Sequence, residues 1–128
     1  MIVSINHMNR QEFEKFAYDS YGTTGENLWV RHPEFAVFRH ADNKKWYACV
    51  MRIDRRLLGL DGNGKIDVVN LKNDPLSVEL LYSENGIFPA YHMNKTHWLT
   101  VALDGSAQDN LVKMLVCRSF ELTAPKKR

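Results

Sequence analysis

A chain of 128 residues has room for one domain, and its 45% hydrophobic and 25% charged residues are typical of a globular protein. The net charge of +2 rests on three basic residues at the C-terminus, so overall basicity gives no support for nucleic-acid binding. The sequence has no apolar run long enough to span a membrane, no CxxC motif and no signal-peptide pattern, which predicts a reduced, cytoplasmic protein with a single domain over residues 1–128.

The first predicted element is a helix over residues 10–20. Asn9 and a glutamate three residues later have the spacing of a capping box, and apolar residues repeat at helical intervals after them. Residues 21–34 contain glycine, proline and several polar residues. This composition predicts a long loop, with Leu28 and Trp29 turned inward.

Three strands follow, at residues 35–39, 46–54 and 66–72, each rich in apolar or β-branched residues. The polar stretch between the first two predicts a turn and therefore an antiparallel hairpin. Simple alternation along the second strand puts Tyr47 on one face with Cys49, Met51 and Ile53, and puts Trp46 on the other with Ala48, Val50 and Arg52.

The second half of the chain predicts a helix, a strand and another helix. An Asp-Pro pair at residues 74–75 starts a helix that Gly86 stops near its end, and residues 97–103 form the next strand. A Ser/Asp capping box at residues 106–109 begins the last helix, over residues 107–121. These elements predict an α+β fold, a two-layer sandwich whose mainly antiparallel sheet is covered on one face by helices.

The segment GLDGNGKID, residues 59–67, contains parts of two ligand motifs. A phosphate-binding loop needs a hydroxyl residue and a helix after its lysine, but Lys65 is followed by Ile66 and a strand. An EF-hand register puts Gly59 first and Asn70 twelfth, where calcium needs an Asp and a bidentate Glu. The segment therefore predicts a glycine-rich hairpin turn.

Basic residues cluster locally although the whole chain is almost neutral. Residues 39–56 carry six basic and two acidic side chains, a local net charge of +4. Such a surface either contacts nucleic-acid phosphates or is a solvated strand edge that resists edge-to-edge pairing. The candidate phosphate-binding residues are Arg39, Lys44, Lys45, Arg52, Arg55 and Arg56, with Lys65 near the tip of the next turn.

The stretch PAYHMNKTHW, residues 89–98, concentrates chemically distinctive side chains just before a strand. Three interpretations remain open: metal binding by His92 and His97, a general base for Cys49 or Cys117, and a purely structural loop. The two histidines lack a third ligand at a usual spacing, and nothing in the sequence brings a thiol near either imidazole. His97 shares the alternation of the apolar residues in the next strand, which predicts a partly buried imidazole.

Several of these segments together resemble the MmcQ/YjbR family. The resemblance rests on the Asp-Pro helix start at residue 74, on IFPAYHMNKxHW over residues 87–98 and on SFxL over residues 119–122. It covers residues 35–122, where the Trp46-Tyr47-Ala48 strand fits the same pattern, and leaves a basic tail at residues 123–128. The residues of this family signature, with a structural or a binding role, are Pro89, Tyr91, His92, Met93, Asn94, Lys95, His97 and Trp98.

The resemblance implies a frataxin-like (CyaY-like) sandwich and a small bacterial protein that binds DNA through a double wing of hairpins. Residues 39–56 would form one wing and the turn around Lys65 the other, with added contacts from Asn94 and Lys95. We expect mostly phosphate contacts and little sequence specificity. The resemblance carries over no catalytic residue, so no catalytic residue, metal or cofactor is predicted, and an enzyme is the least favoured class.

The alternative function is a protein-interaction or regulatory domain that does not bind nucleic acid. Trp46 and Trp98 both fall on the register opposite the presumed core, so their face is available to a protein partner or to a second copy. No membrane partner is predicted, and the sequence assigns no oligomeric state.

Overall fold

The computed structural model describes residues 7–126. Among these residues, no helix has the length and apolar character of a membrane span. A 3-10 turn, Arg55–Leu58, follows the longest strand. The other elements are β1 (His7–Asn9), α1 (Arg10–Tyr21), β2 (Ala36–Arg39), β3 (Trp46–Asp54), β4 (Lys65–Lys72), α2 (Pro75–Leu81), β5 (Ile87–Pro89), β6 (Trp98–Ala102), β7 (Asp104–Gln108) and α3 (Asp109–Thr123).

The main sheet has five strands in the order β2-β3-β4-β6-β5, and every neighbouring pair is antiparallel. β1 and β7 form a separate antiparallel pair. Buried residues of α1 and α3 belong to the same core as one face of the main sheet. This arrangement confirms the predicted α+β fold with a mainly antiparallel sheet, whereas the likeness to frataxin stays a prediction.

Apolar side chains from the sheet and from the helices fill the layer between them. Phe13 of α1 meets Phe38 of β2 edge-on, with their ring centroids 5.1 Å apart. Both rings are fully buried. Burial of such a side chain contributes roughly 1.5–3 kcal/mol, so this dry layer is a major source of stability. The main-sheet residues of this helix-covered face are Ala36, Phe38, Tyr47, Ala48, Val50, Val69, Leu71, Ile87, Leu99 and Val101.

The opposite face of the sheet is covered by loops. In the described part of the chain, its core cluster includes no residue of an α-helix. Half-buried residues from the segment before β2, the β3–β4 connection and the segment after β5 pack over it: Trp29, Phe35, Leu58, Leu60 and Tyr91. We call this the loop-covered face, and its buried strand residues are Val37, Cys49, Met51, Ile53, Ile66, Val68 and Ala102.

A β-bulge at the start of β3 overturns the predicted alternation there. Arg39 pairs with Trp46 and Phe38 pairs with Ala48, so Tyr47 has no partner on β2. Because of this extra residue, the side chains of β3 at and before the bulge point to the faces of the sheet opposite to those that regular alternation predicts. Tyr47 therefore packs in the helix-covered core, and Trp46 packs on the loop-covered face with Cys49, which is the opposite of the prediction for both aromatic residues.

The predicted start of α1 is confirmed, but α2 is shorter than expected. The side chain of Asn9 accepts a hydrogen bond from the Glu12 N–H at 2.8 Å, as the capping box requires. α2 ends at Leu81, because Ile87–Pro89 return to the sheet as the edge strand β5, which the prediction missed. Gly86 does not stop the helix; its φ of 81° and its packing against Ala107 explain the glycine instead.

The predicted capping box of the last helix is wrong. α3 begins at Asp109, and Ser106 lies before it in β7. The Ser106 hydroxyl donates to the carboxylate of Asp104 at 2.6 Å rather than capping the helix. The pairing of β7 with β1 outweighs the local capping signal, because two strands gain backbone hydrogen bonds that a longer helix would lose.

The two loop predictions have different outcomes. Trp29 is half-buried as expected, but Leu28 is 46% exposed and does not turn inward. The glycine-rich segment 59–67 connects two antiparallel strands, β3 and β4, as predicted. Gly59, Gly62 and Gly64 have φ values of 73°, 92° and 104° there, a backbone region that favours glycine.

Candidate functional site

A polar pair lies in the middle of the otherwise apolar loop-covered face. Asn70 of β4 pairs across the sheet with Cys49 on one side and with Thr100 of β6 on the other. Neither Asn70 nor Thr100 has any solvent-exposed surface. Buried polar groups must be hydrogen-bonded to offset the loss of water, so this pair needs partners inside the fold.

The partner is the backbone of residues 90–97, the loop between β5 and β6, which we call the signature loop. The Thr100 hydroxyl donates to Asn70 Oδ1, the Tyr91 N–H donates to Thr100 Oγ1 at 2.9 Å, and Asn70 Nδ2 donates to the Tyr91 carbonyl at 2.8 Å. Both backbone polar groups of Tyr91 are therefore held by the sheet. We call Asn70, Thr100 and the Tyr91 backbone the polar clamp. It fixes the signature loop over the loop-covered face.

The rest of the signature loop is tightly folded. Asn94 Oδ1 accepts hydrogen bonds from the N–H groups of Thr96 and His97, at 2.8 and 3.1 Å. This local turn gives Asn94 a structural role, and its conformation brings the chain back into β6. His92 has a φ of 60°, a left-handed conformation that is uncommon outside glycine and marks a constrained position.

A cavity of about 360 Å³ lies between the signature loop, the segment before β2 and the sheet. Cys49, Met51 and Asn70 are the buried lining residues, and we call them its floor. The exposed imidazoles of His32 and His92 form its rim. Its half-buried walls are Trp29, Phe35, Trp46, Tyr91 and Met93. The family signature therefore supplies one wall and part of the rim.

The aromatic side chains around the cavity pack against one another, either edge-on or stacked. Trp29 lies edge-on to both Phe35 and Trp46, with ring centroids 5.8 Å apart in each pair. His32 stacks on Phe35 at 4.7 Å, and His92 packs against Tyr91 at 4.0 Å. Such edge-on and stacked pairs add stability beyond their buried area, so the cavity has a defined shape.

A second cavity of about 440 Å³ adjoins the first and shares Tyr91 and His92 with it. Leu57 and Leu58 of the 3-10 turn line its far side, and Lys95 is its basic residue. Lys95, a residue of the signature loop, therefore lies across this cavity from the 3-10 turn.

The catalytic interpretation of the histidines finds no chemical support at Cys49. This thiol shares the cavity with His92, but burial raises its pKa to about 11. At neutral pH the group is protonated and behaves as a small hydrophobe rather than a nucleophile. Within residues 7–126, no group of three or more His, Cys, Asp or Glu side chains could hold a metal ion.

The prediction that His97 is partly buried is wrong. β6 begins at Trp98, so His97 lies in the loop before the strand and is exposed. The alternation of a strand does not extend to a residue outside it.

Trp46 and Trp98 do share the loop-covered face, but loop residues partly cover Trp46: Trp29 packs against it there.

The nine predicted phosphate-binding residues do not form one cluster. Lys44 and Lys45 lie in the β2–β3 turn, whereas Arg55, Arg56 and Lys65 lie beyond the other end of β3. Because β3 has nine residues, these two groups are separated by roughly 25–30 Å. Asn94 and Lys95 lie in the signature loop, where the Asn94 carbonyl accepts from the Trp98 N–H at the start of β6 and Lys95 lines the second cavity with Leu57 and Leu58.

Three of the predicted arginines are already paired with carboxylates. Arg39 contacts Glu26 through two hydrogen bonds, at 2.6 and 3.0 Å. The other two ion pairs are longer: Arg52 to Asp67 at 3.7 Å, and Arg56 to Asp54 at 3.5 Å. Arg55 donates to the Asp61 carbonyl. These pairs reduce the charge that the predicted sites present to a phosphate.

The structure gathers other basic residues around the β2–β3 turn. The Lys72 N–H donates to Ser119 Oγ of α3 at 2.8 Å, and Arg118 approaches Asn73 at 3.4 Å. Asn43 of the turn donates to the Thr123 carbonyl at the end of α3. The end of β4, the end of α3 and the turn therefore meet. We call this region the basic end, defined by Lys44, Lys45, Lys72, Arg118 and Lys126.

The basic end has a surplus of positive charge. In the described part of the chain, none of its five basic residues forms an ion pair. The nearby segments also carry the carboxylates Asp42, Asp74 and Glu121. Sequence reasoning missed Lys72, Arg118 and Lys126, although antiparallel pairing of the predicted strands 46–54 and 66–72 already puts residue 72 beside the turn.

Sequence reasoning also missed most of the cavity. One residue in the sequence could have indicated it: Asn70, a lone amide between apolar residues of a predicted strand. Nothing in the sequence of residues 27–35 indicated that this segment lines the cavity, because its packing over β3 depends on the tertiary fold.

The chain is similar to several bacterial proteins. It is 37% identical over 116 residues to the uncharacterized protein YyaQ of Bacillus subtilis, which covers 91% of this chain and 98% of that protein. It is 43% identical over 54 residues to the uncharacterized protein YjbR of Escherichia coli, which covers 41% of this chain and 46% of that protein.

Solved structures agree with the fold. A Pseudomonas syringae protein, 44% identical, has a crystal structure that superposes with a TM-score of 0.89 over 91% of this chain and 100% of its own. A Deinococcus radiodurans protein, 23% identical, superposes with a TM-score of 0.68 over 94% of this chain and 81% of its own, which shows the shared fold alone. The YjbR family pattern matches residues 18–122. The chain therefore belongs to the YjbR family.

Proposed function

We propose that the protein is a non-enzymatic DNA-binding protein that contacts phosphates with its basic end. The observation that supports this proposal is the convergence of the β2–β3 turn, the end of β4 and the end of α3. These segments carry or adjoin the five basic residues of the basic end, none of which forms an ion pair in the described part of the chain. Phosphate contacts supply most of the affinity of such proteins and carry no sequence information. Our proposal keeps Lys44 and Lys45 from the sequence prediction and moves the main contact away from Arg52, Arg55 and Arg56.

Salt dependence is the first test, with a fluorescein-labelled duplex titrated at 50 and 200 mM salt. If three to five phosphates are neutralised, affinity falls roughly 50- to 500-fold between these concentrations. Duplexes of unrelated sequence are expected to bind about equally, because the contacts are made to the backbone. Failure to bind at the lower salt concentration, or binding that salt does not change, would contradict the proposal.

A matched pair of double variants locates the contact. Lys44→Gln with Lys45→Gln is expected to weaken binding roughly tenfold or more. It should also reduce the slope of log affinity against log salt concentration by about two. Arg52→Gln with Arg56→Gln removes the same formal charge at the opposite end, where both arginines already face carboxylates, and is expected to have a smaller effect. Equal losses in the two double variants would show that DNA spans both ends, as in a double wing.

A protein-interaction function has one specific observation in its favour. Leu76 and Leu80 of α2 are 88% and 75% exposed and stand one helical turn apart. Two neighbouring exposed leucines form an apolar surface of the kind that a protein partner covers. Light scattering of the protein and of Leu76→Ser with Leu80→Ser tests this alternative. A larger mass for the natural sequence than for the variant would support self-association through α2.

A further inference from the structure

The cavity under the signature loop has the attributes of a binding site, and it does not depend on the proposed contact with DNA. Its volume of about 360 Å³ lies near the lower end of the range for small-molecule sites. A ligand of one or two fused rings is therefore the largest that it encloses well. It also involves different residues from the basic end, so the two sites can be tested separately.

The lining determines the chemical character of the ligand. Four of its residues are Trp, Phe or Tyr, two are Met, and two are His. Flat rings pack favourably against aromatic walls, and thioethers make favourable contacts with ring edges. In the described part of the chain, no Asp, Glu, Lys or Arg side chain lines this cavity. A charged ligand would lose its hydration there without gaining an ionic partner.

Polar groups of the lining favour a ring that carries hydrogen-bonding atoms. The Asn70 amide is fully buried and bonded within the polar clamp, so the polar groups that a ligand reaches are those of the rim. His32 and His92 add ring nitrogens at the rim.

The protein also holds the site in shape before any ligand arrives. The polar clamp fixes Tyr91, and the constrained backbone of His92 follows it directly. A left-handed residue other than glycine persists only where its surroundings impose it, and such residues concentrate at binding and catalytic sites. A cavity whose walls are already ordered loses less entropy on binding than a flexible one.

We propose that this cavity binds a small, uncharged, planar heteroaromatic molecule of one or two rings. A free metabolite and an unpaired base of a nucleic acid strand share this chemistry. The ring would lie between Trp29, Trp46 and Tyr91, with its polar edge toward the rim imidazoles of His32 and His92.

The test is nuclear magnetic resonance of the 15N-labelled protein, using its three tryptophan indole N–H signals. Trp29 and Trp46 line the cavity, whereas Trp98 does not and serves as an internal control. Unlabelled indole and adenosine are the aromatic probes, and cyclohexanol is a non-planar probe of similar size to one ring. Indole or adenosine is expected to shift the Trp29 and Trp46 signals in a saturable way and to leave Trp98 unchanged.

Two outcomes would overturn the proposal: no saturable shift with either aromatic probe, or equal shifts with cyclohexanol. A single-stranded oligonucleotide distinguishes the sources of the ring. If it shifts the same two signals at much lower concentration than adenosine does, the natural ligand is a base within a strand; if it does not, the ligand is a free molecule.

The variant His92→Gly provides a second measurement that does not threaten the fold, because glycine readily adopts the φ of 60° at this position. Loss of the rim ring is expected to weaken binding of the probe by roughly three- to tenfold, the value of one aromatic contact. Met114→Leu, at an exposed position on α3, is the matched control and should leave binding unchanged. Unchanged affinity in His92→Gly would place the ligand elsewhere.

Discussion

The two faces of the main sheet are built from the same five strands but differ in what covers them. Helices cover one face, and its buried strand residues are apolar. Loops cover the other, where Asn70 and Thr100 interrupt the apolar surface and a cavity remains. A helix presents a continuous apolar stripe that excludes water, whereas loops cover a surface unevenly and bring backbone polar groups that need partners. The difference separates a face that stabilises the fold from a face that can hold a ligand.

The largest expected effect is at the helix-covered face. Phe13→Ala removes a fully buried ring that packs against Phe38, and it should lower the free energy of unfolding by about 3–5 kcal/mol. Urea denaturation followed by circular dichroism measures this change. Tyr18→Ala, at an exposed position of the same helix, is the control and should cost under about 1 kcal/mol. If both variants lost a similar free energy of unfolding, burial of Phe13 against the sheet would not be a main source of stability.

The polar clamp should come next. Asn70→Ala leaves the Thr100 hydroxyl and the Tyr91 carbonyl without their partner, and two unsatisfied buried groups cost about 2–4 kcal/mol. Asn63→Ala, in the exposed β3–β4 turn, is the control. Hydrogen exchange of the Tyr91 amide should also accelerate in Asn70→Ala, since its acceptor Thr100 loses its own partner. An Asn70→Ala protein as stable as the control would show that the clamp does not hold the loop.

The pH dependence of stability should reflect the buried thiol of Cys49 on the loop-covered face and the buried phenol of Tyr47 on the helix-covered face. Burial raises the pKa of Cys49 to about 11 and the pKa of Tyr47 to about 12. Both groups ionise at lower pH in the unfolded chain, so the unfolded state loses protons first and stability falls as pH rises from about 9 to 12. Denaturation midpoints across this range measure the decline, and Cys49→Ala should make it shallower below about pH 11. An unchanged slope in that variant would assign the decline to other groups.

The cysteines offer a related chemical test. At pH 8 the thiolate fraction of Cys49 is about one in a thousand, so iodoacetamide should modify it very slowly in the folded protein. Cys117, which is only half-buried, is the internal comparison. Mass spectrometry after digestion identifies the modified residue. Fast modification of Cys49 would mean that the loop-covered face opens readily.

The smallest expected effect is at the two left-handed residues other than glycine. His92 and Lys44 have φ values of 60° and 63°. Replacement of either by glycine removes about 1 kcal/mol of backbone strain, and a more flexible unfolded chain offsets part of this gain. We therefore expect changes in stability within about 1 kcal/mol, measured by thermal denaturation. A clear loss of stability in His92→Gly alone would mean that the imidazole itself stabilises the loop.

Local patterns in the sequence predicted most of the elements. The capping box at Asn9 and the alternation of residues 46–54 located α1 and β3, because both signals depend on neighbours along the chain. The Asp-Pro start located α2 for the same reason. The signature loop was recognisable as a family feature, but its contacts with the sheet were not, since they depend on how the loop folds back over Asn70, 21 residues before Tyr91, and Thr100, nine residues after it.

Errors arose where pairing between distant segments competed with a local signal. The bulge at Tyr47 is set by the register of β2 against β3, and no pattern within β3 announces it. The Ser106 capping signal was overridden because residues 104–108 pair with β1. His97 looked like a strand residue until the start of β6 was known.

The sequence by itself determined the family, the α+β class and the order of most elements, because periodicity, caps and the PAYHMNKTHW signature are local properties of the chain. Only the tertiary structure decided which side chains share a site. It separated Lys44 and Lys45 from Arg55 and Arg56 by the length of β3, and it brought Trp29, Trp46 and Tyr91 around one cavity. The physical reason is that a binding site depends on distances across strands and loops, which are set by the packing of the whole domain.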